Sequence, residues 1–249
     1  MIEFGSQLYT FRKEVKSKEQ VPALFKKLSF YGCTCAQISA MCPIDPGELR
    51  KIADANGISL PVTHSAYERI IGDTDKLAEE HRILGADFVG LGIMPAKYKA
   101  SGLDGIKRFT EEMNIAGEKL KAYNLRLAYH NHSLEFKKID GKLIYDYLLE
   151  MMPDTDMIFD VFWAKFSGVE PQDFMKKLEN RASVIHLKDY KKGLFVGKIC
   201  DVGDGVIDFK AVLDVAERIG TKYAVIEHDT TRKPYLTTEK GMKYIESIL

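Results

Sequence analysis

Two histidines stand one residue apart in the stretch LAYHNHSLEF, which runs from Leu127 to Phe136. A spacing of two places both rings, those of His130 and His132, on the same side of a β-strand. A glutamate, Glu135, follows three residues later. Imidazole and carboxylate groups bind metals, but a packed strand that carries two satisfied histidines has the same pattern. The choice between these interpretations depends on what the rest of the chain places beside this stretch.

Other short apolar segments also carry polar residues in their interiors. Asp160 interrupts the run MIFDVF, His186 lies in VIHLKD, and Glu227 lies in AVIEHD. A buried carboxylate without a partner is costly, so each must be paired, hydrogen-bonded or bound to a metal. Five of the six histidines end predicted strands: His64, His130, His132, His186 and His228.

These segments belong to a chain in which short apolar runs alternate with long amphipathic stretches from end to end. We predict strands over 1–9, 33–40, 58–65, 87–95, 125–132, 157–164, 183–190 and 223–229. A helical pattern follows each strand, over 18–32, 45–57, 73–86, 103–123, 143–152, 171–181, 208–220 and 238–249. Eight strand–helix units within 249 residues predict an α/β fold, a (β/α)8 TIM barrel that forms one domain over 1–249.

Alternation along the strands predicts which side chains face the barrel axis. Ala128, Ile158, Val184 and Val225 should point inward, and so should the polar residue two positions after each of them. The active sites of such barrels lie at the C-terminal ends of the strands. The polar residues predicted to meet there are His130, Asp160, His186 and Glu227. His132 should point in the same direction, two residues beyond His130.

This mixed set of nitrogen and oxygen donors predicts a site for one divalent metal ion. Mn²⁺, Zn²⁺, Co²⁺ and Fe²⁺ all suit such a set better than a structural thiolate zinc site does. Such an ion would bind two vicinal oxygens of a substrate and polarise a carbonyl group. A network of buried salt bridges and hydrogen bonds without a metal is the alternative.

Composition and charge narrow the classes of partner. Lys+Arg and Asp+Glu both number 36, so there is no basic excess that would indicate a nucleic-acid partner. No apolar stretch reaches the roughly 18 residues of a membrane span, and no secretory pattern opens the chain, so we expect a cytoplasmic protein. The four cysteines are expected to be free thiols in a reducing compartment. A homo-oligomer is left open.

Six segments occur in the order found in the sugar phosphate isomerase/epimerase family: GSQLYTFR, YHNHSLEF, FDVFWAKFSG, VIHLKDY, VGDGVIDF and VIEHD. The chain resembles that family over essentially its whole length. The resemblance implies the xylose isomerase-like barrel and one divalent ion held by Glu, Asp, His and Glu on strands five to eight. Asp160, His186 and Glu227 match the last three ligands. The expected strand-five glutamate falls on or next to His130, so the fourth ligand is His130, His132 or Glu135.

The resemblance also implies a small sugar or sugar derivative as the substrate. In related epimerases two metal-bound glutamates act on opposite faces of a carbon, and only Glu227 is clearly present here. We therefore expect a sugar isomerase or epimerase that transfers a proton next to a carbonyl, with β-elimination from a keto-sugar as the alternative. The catalytic candidates are Glu227, His132 and Glu135. The substrate-binding candidates are Gln7, Tyr9, His64, Trp163 and Lys188.

Several alternatives accompany this interpretation. Lys188 is expected to neutralise an oxyanion, bind phosphate, or form a salt bridge with Asp189, Asp160 or Glu227. The glycine-containing segment VGDGVIDF lacks the lysine and serine of a P-loop and is predicted to be the turn before the seventh helix, with Asp208 near the N-cap. A DNA-repair enzyme like endonuclease IV is disfavoured by the neutral charge. A non-catalytic sugar-binding barrel is the remaining alternative.

Overall fold

A closed barrel of eight parallel strands forms the centre of the molecule. The computed structural model describes residues 1–193 and 198–249. The strands are β1 Glu3–Gln7, β2 Cys35–Ile38, β3 Ser59–Thr63, β4 Phe88–Leu91, β5 Arg126–His130, β6 Asp156–Asp160, β7 Val184–Leu187 and β8 Tyr223–Ile226. Each strand pairs with its sequence neighbours, and β1 pairs with β8 to close the ring. The TIM barrel predicted from the sequence is confirmed.

Helices cover the outside of the barrel. They are α1 Val21–Phe30, α2 Pro46–Asp54, α3 Tyr67–Gly72, α4 Thr74–Leu84, α5 Ala96–Lys99, α6 Gly102–Lys121, α7 Ile144–Met151, α8 Val161–Phe166, α9 Pro171–Met175, α10 Phe209–Arg218 and α11 Pro234–Ile248. Among the residues that the structure describes, no helix is long and apolar enough to cross a lipid bilayer. The short helices α3 and α5 are not predicted, because each is too short to show helical periodicity in the sequence.

Local hydrogen bonds explain where the predicted helices begin. Asp45 accepts a hydrogen bond from the N–H of Glu48 (2.9 Å) and is followed by Pro46 at the first position of α2. Asp208 accepts one from the N–H of Ala211 (3.0 Å) at the start of α10. Such caps satisfy N–H groups that have no partner within the helix. The predictions of both N-caps are confirmed.

The barrel interior is a separate layer of apolar side chains. Its members are Cys35, Val62, Phe88, Ala128, Ile158, Val184 and Val225. The four residues predicted to face the axis, Ala128, Ile158, Val184 and Val225, are all in this layer. Burying a side chain of valine or isoleucine size contributes about 1.5–3 kcal/mol, so the layer stabilises the closed ring. The residues two positions further along are thereby directed to the C-terminal mouth of the barrel.

The sixth strand ends earlier than predicted. The apolar run to residue 164 suggested a strand throughout, but β6 ends at Asp160 and α8 begins at Val161. Asp160 Oδ1 accepts a hydrogen bond from the N–H of Trp163 (3.1 Å) and so caps this helix. Trp163 therefore lies in the first turn of a helix and not on a strand.

The glycine-containing loop before α10 is held by a carboxylate of the chain itself. Asp189 accepts hydrogen bonds from the N–H groups of Gly203 (3.0 Å), Gly205 (2.8 Å) and Ile207 (3.2 Å). A Cβ atom at Gly205 would lie 2.2 Å from Asp189 Oδ1, so only glycine allows this close approach. The prediction of a turn that leads into the seventh predicted helix is confirmed. Asp189 forms this contact instead of the salt bridge to Lys188 that the sequence left open.

Candidate active site

Four polar side chains converge at the C-terminal ends of β5 to β8. The potential ligand atoms of His130, Asp160, His186 and Glu227 all lie within 4.8 Å of one another, and all four residues are buried. His130 and Asp160 end β5 and β6, His186 lies on β7, and Glu227 directly follows β8. The alternation that packs the interior layer thus brings together the set predicted from the sequence.

The imidazole rings of His130 and His186 each lie next to a hydrogen-bond acceptor outside the cluster. His130 Nδ1 lies 3.0 Å from the carbonyl oxygen of Gly92, which only accepts, so Nδ1 carries the proton and Nε2 presents a lone pair. His186 Nε2 lies 2.5 Å from Gln37 Oε1, which assigns a proton to Nε2. These contacts leave His130 Nε2 at 3.3 Å from Asp160 Oδ2 and His186 Nδ1 at 2.8 Å from Glu227 Oε2.

The arrangement fits a cation between the imidazoles and the carboxylates. His186 Nδ1 and Glu227 Oε2 are close, yet neither buried atom has a partner in hydrogen-bond geometry. The short distance between these two atoms therefore does not correspond to a hydrogen bond. Buried polar atoms normally have partners, and nitrogen and carboxylate lone pairs directed at one another are satisfied by a shared divalent ion. We conclude that the cluster could hold a metal ion, and that its donors suit the transition metals named above.

A lysine supplies positive charge inside the same cluster. Lys188 is only 2% exposed, and its Nζ lies 3.0 Å from both Asp160 Oδ2 and Glu227 Oε2. A third carboxylate, that of Asp229, lies 3.2 Å away. Burial disfavours the ammonium form, but the three carboxylates outweigh burial and hold the pKa of Lys188 above its ordinary value.

The carboxyl groups and imidazoles respond to the same charges. Burial raises the pKa of Asp160 and Glu227, yet Lys188 and the histidines outweigh it and hold both carboxyls well below their usual range. Burial lowers the pKa of His186, but Glu227 and Asp160 reverse that effect and raise it. Burial lowers the pKa of His132 to about 3, so this imidazole is neutral. Burial raises the pKa of Asp229 to about 6.

A cavity of about 680 Å³ opens above the cluster. Tyr9, His64, His132 and Lys188 are the predicted substrate-binding or catalytic residues that line it, together with the ligand candidates His130 and Glu227. A cavity of this volume is within the usual range for small-molecule sites. His64 Nε2 and His132 Nδ1 are buried atoms without a hydrogen-bond partner in the described part of the chain. Each ring therefore has one nitrogen that no described residue satisfies.

Two of the predicted substrate-binding residues, Gln7 and Trp163, are not among those that line the cavity. Gln7 lies behind it, with Nε2 at 3.4 Å from His64 Nδ1, so it orients that ring. Trp163 packs against the ring of His132, with centroids 5.3 Å apart, which orients His132 instead of presenting a free aromatic face. Both positions follow from elements whose geometry the sequence pattern does not specify.

Glu135 does not reach the ligand cluster that the sequence allowed it to join. Its carboxylate accepts hydrogen bonds from the hydroxyl of Tyr129 (2.5 Å) and from the N–H of His132 (2.7 Å). The side chain is 1% exposed and turns toward the layer between barrel and helices. Glu135 thus fixes the loop after β5, and through it the position of His132. His130 is the strand-five member of the cluster.

Sequence reasoning missed two residues of the site. Gln37 follows Cys35 by two positions on β2, so the alternation that places Cys35 inside the barrel could have identified it. Asp229 follows Glu227 by two positions within the predicted strand 223–229, so the alternation that points Glu227 inward could have identified it as well. Its backbone oxygen accepts a hydrogen bond from Arg12 (2.5 Å), which also donates to the backbone oxygen of Tyr9 (2.8 Å). Arg12 therefore fixes the loops after β1 and β8 relative to each other.

Comparisons with known proteins agree with this barrel. An inosose dehydratase from Clostridium tetani is 28% identical over 167 residues, which are 55% of this chain and 55% of that protein. The chain thus spans about half the length of that relative. An inosose dehydratase from Salmonella agona is 22% identical over an alignment that covers 95% of this chain and 91% of that protein.

Solved structures and a family profile extend the comparison to the whole barrel. The crystal structure of a sugar phosphate isomerase/epimerase from Parabacteroides distasonis has a TM-score of 0.80 at 21% identity, and the alignment covers 99% of this chain and 94% of that chain. At this identity the similarity shows the fold. The profile of the family described as xylose isomerase-like TIM barrel matches residues 25–248. The resemblance predicted from the sequence motifs is confirmed, and the chain belongs to the xylose isomerase-like TIM barrel family.

Proposed function

We propose that the protein is a metal-dependent dehydratase of the lyase class, which removes water from a small cyclic keto-sugar or keto-polyol by β-elimination. The observation that carries this proposal is the identity of the β5 residue. His130 takes the place of a second acidic ligand, and its Nδ1 is committed to the carbonyl of Gly92. A two-base epimerase requires a second carboxylate on the other side of the reacting carbon from Glu227, and β5 does not supply one. The inosose dehydratase relatives support the same reaction class.

The isomerase activity favoured by the sequence is the second candidate, because isomerisation also needs only one base. The two reactions differ in outcome. Isomerisation moves a proton and conserves mass. In β-elimination the C–H bond next to the ketone breaks, a C=C bond forms, and the hydroxyl on the following carbon leaves as water after receiving a proton.

The site residues can be assigned to the steps of β-elimination. A divalent ion held by His130, Asp160, His186 and Glu227 would polarise the ketone and make the adjacent C–H more acidic. Lys188 places a positive charge at the floor of the cavity, where negative charge develops on the substrate oxygen.

His132 is the proposed proton acceptor. His132 lines the cavity, whereas the carboxylate of Glu227 lies 3.0 Å from the ammonium group of Lys188. The ring is held on one side by Trp163, and its backbone N–H is held by Glu135. A general base held in position contributes about 10²–10⁴-fold to the rate, and the low pKa of His132 places its contribution at the lower end of that range. His64, with Nε2 free and Nδ1 near Gln7, is placed to bind a substrate hydroxyl.

Mass spectrometry of product mixtures tests the proposal. The protein, loaded with Mn²⁺, is incubated with a panel of inososes, ketoses and keto-glycosides. We expect one class to lose water and form a conjugated ketone, which ultraviolet absorbance detects. Products of unchanged mass would show that the protein is an isomerase instead.

A pair of histidine variants tests the proton acceptor. We expect His132→Gln to reduce kcat/KM by about 10²-fold, the lower end of the contribution of a general base. His81→Gln is the matched control, because His81 is a buried histidine of α4 that does not line the cavity above the cluster. Full activity of His132→Gln would contradict the assignment of His132.

A further inference from the structure

Lys188 shares its partners with the candidate metal site. Its Nζ lies 3.0 Å from Asp160 Oδ2 and 3.0 Å from Glu227 Oε2. The same two oxygens face the imidazole lone pairs, with Asp160 Oδ2 at 3.3 Å from His130 Nε2 and Glu227 Oε2 at 2.8 Å from His186 Nδ1. An ammonium group and a divalent ion would therefore draw on the same carboxylate oxygens.

Lys188 has a third acidic partner outside the ligand set. Asp229 Oδ1 and Oδ2 lie 3.2 and 3.3 Å from its Nζ, and the Asp229 side chain is 29% exposed where it lines the cavity. The backbone of Asp229 is fixed by Arg12, so this carboxylate is held in place. The flexible four-carbon stem of a lysine allows its ammonium group to shift between neighbouring carboxylates.

Like charges at such distances repel strongly where water is excluded. A divalent ion bound by the Asp160 and Glu227 oxygens would stand next to the ammonium of Lys188, which is almost fully buried. The repulsion is reduced if the ammonium group gives up those two oxygens and keeps Asp229. The three carboxylates around one lysine provide such a second position.

We propose that Lys188 competes with the divalent ion for Asp160 and Glu227, and that Asp229 receives the ammonium group when the ion binds. This inference rests on the metal site of the proposed function. Lys188 thereby sets the metal affinity of the site. When no ion is bound, its ammonium group also neutralises these two carboxylates, whose charges would otherwise be buried without compensation.

Isothermal titration calorimetry with Mn²⁺ tests the competition. Wild type, Lys188→Met and Lys222→Met are treated with a chelator and dialysed before titration. Lys222 is the matched control, because it is an exposed lysine just before β8, at the opposite end of that strand from Glu227. We expect Lys188→Met to bind Mn²⁺ at least about tenfold more tightly, since removing the competing charge leaves the carboxylates free. Lys222→Met should match wild type.

A second variant keeps the test decisive if Lys188→Met does not fold. Asp229→Asn retains Lys188 but removes the charge that would receive it, so we expect Mn²⁺ binding about threefold or more weaker than in wild type. Circular dichroism establishes that each variant is folded before titration.

The outcomes separate this inference from the proposed function. Equal Mn²⁺ affinity in wild type, Lys188→Met and Asp229→Asn would overturn the competition while leaving the metal site and the dehydratase proposal in place. No Mn²⁺ binding in any variant would overturn both the metal site and the competition. Tighter binding in Lys188→Met and weaker binding in Asp229→Asn support the competition, even if no substrate in the panel loses water.

Discussion

Replacing Gln37 by leucine should weaken both the barrel and its metal site. Gln37 is fully buried, and its Oε1 lies 2.5 Å from His186 Nε2. Leucine is similar in size but offers no acceptor, so the N–H of His186 is left unsatisfied, which costs about 1–3 kcal/mol. Gln37 Nε2 has no partner among the described residues, and leucine removes that unpaired donor as well. We therefore expect a loss at the lower end, about 1 kcal/mol in the free energy of unfolding.

The effect on metal binding should be larger than the effect on stability. Without Gln37, the ring of His186 is free to rotate or to change tautomer, so Nδ1 no longer points at Glu227. Loss of such an outer hydrogen bond typically costs about 10–100-fold in metal affinity. That range corresponds to about 1.4–2.7 kcal/mol of binding free energy.

Urea unfolding and Mn²⁺ titration measure the two effects on the same protein. Gln172→Leu, on the outer helix α9, is the matched control and should change neither. Gln37→Glu retains an acceptor for His186, so its Mn²⁺ affinity should exceed that of Gln37→Leu. Wild-type Mn²⁺ affinity in a folded Gln37→Leu variant would refute the idea that Gln37 orients a metal ligand.

Three further perturbations test the fold and its charges. Burial lowers the pKa of His81 in the folded protein below the unfolded-state value near 6.5. The free energy of unfolding should therefore fall as the pH drops below about 6.5, by at most about 1.4 kcal/mol per pH unit, because the unfolded state binds the proton more readily. Urea unfolding at pH 7 and pH 5 should show a smaller difference in that free energy for His81→Gln than for wild type. Gly205→Ala should cost about 1–3 kcal/mol in thermal or urea unfolding, because its Cβ would meet Asp189 Oδ1 at 2.2 Å; wild-type stability would contradict the close approach. Tyr129→Phe should cost about 1–3 kcal/mol by leaving the buried carboxylate of Glu135 without its hydroxyl donor, whereas Tyr147→Phe, at a half-buried tyrosine of α7, should cost less.

The central cluster could be predicted from the sequence because it depends on strand periodicity. Asp160, His186 and Glu227 interrupt apolar runs, and alternation alone fixes the direction in which each side chain points. The same reasoning would have included Gln37, since Cys35 two positions earlier faces the axis. The periodic part of the site is thus the part that the sequence specifies.

The remainder of the site depends on loops and helix ends, which have no period. The family resemblance leaves Glu135 open as the strand-five ligand, but the turn after β5 directs its carboxylate to Tyr129. Trp163 was placed near a strand end, but capping by Asp160 begins a helix three residues earlier. Arg12, from the other end of the chain, donates a hydrogen bond to the backbone oxygen of Asp229 and so fixes the loop after β8. Such long-range contacts are not encoded in any local pattern.

The carboxylate of Asp189 determines whether the loop before α10 can bind another anion. A loop whose successive backbone N–H groups converge on one point can bind an anion, often a phosphate group. Here the N–H groups of Gly203, Gly205 and Ile207 already receive Asp189. The carboxylate of Asp189 thus occupies the anion-binding position of this loop, and a phosphate group would have to displace that carboxylate to bind there. The N–H groups of this loop are therefore already paired within the chain, and they are not free to bind a second anion.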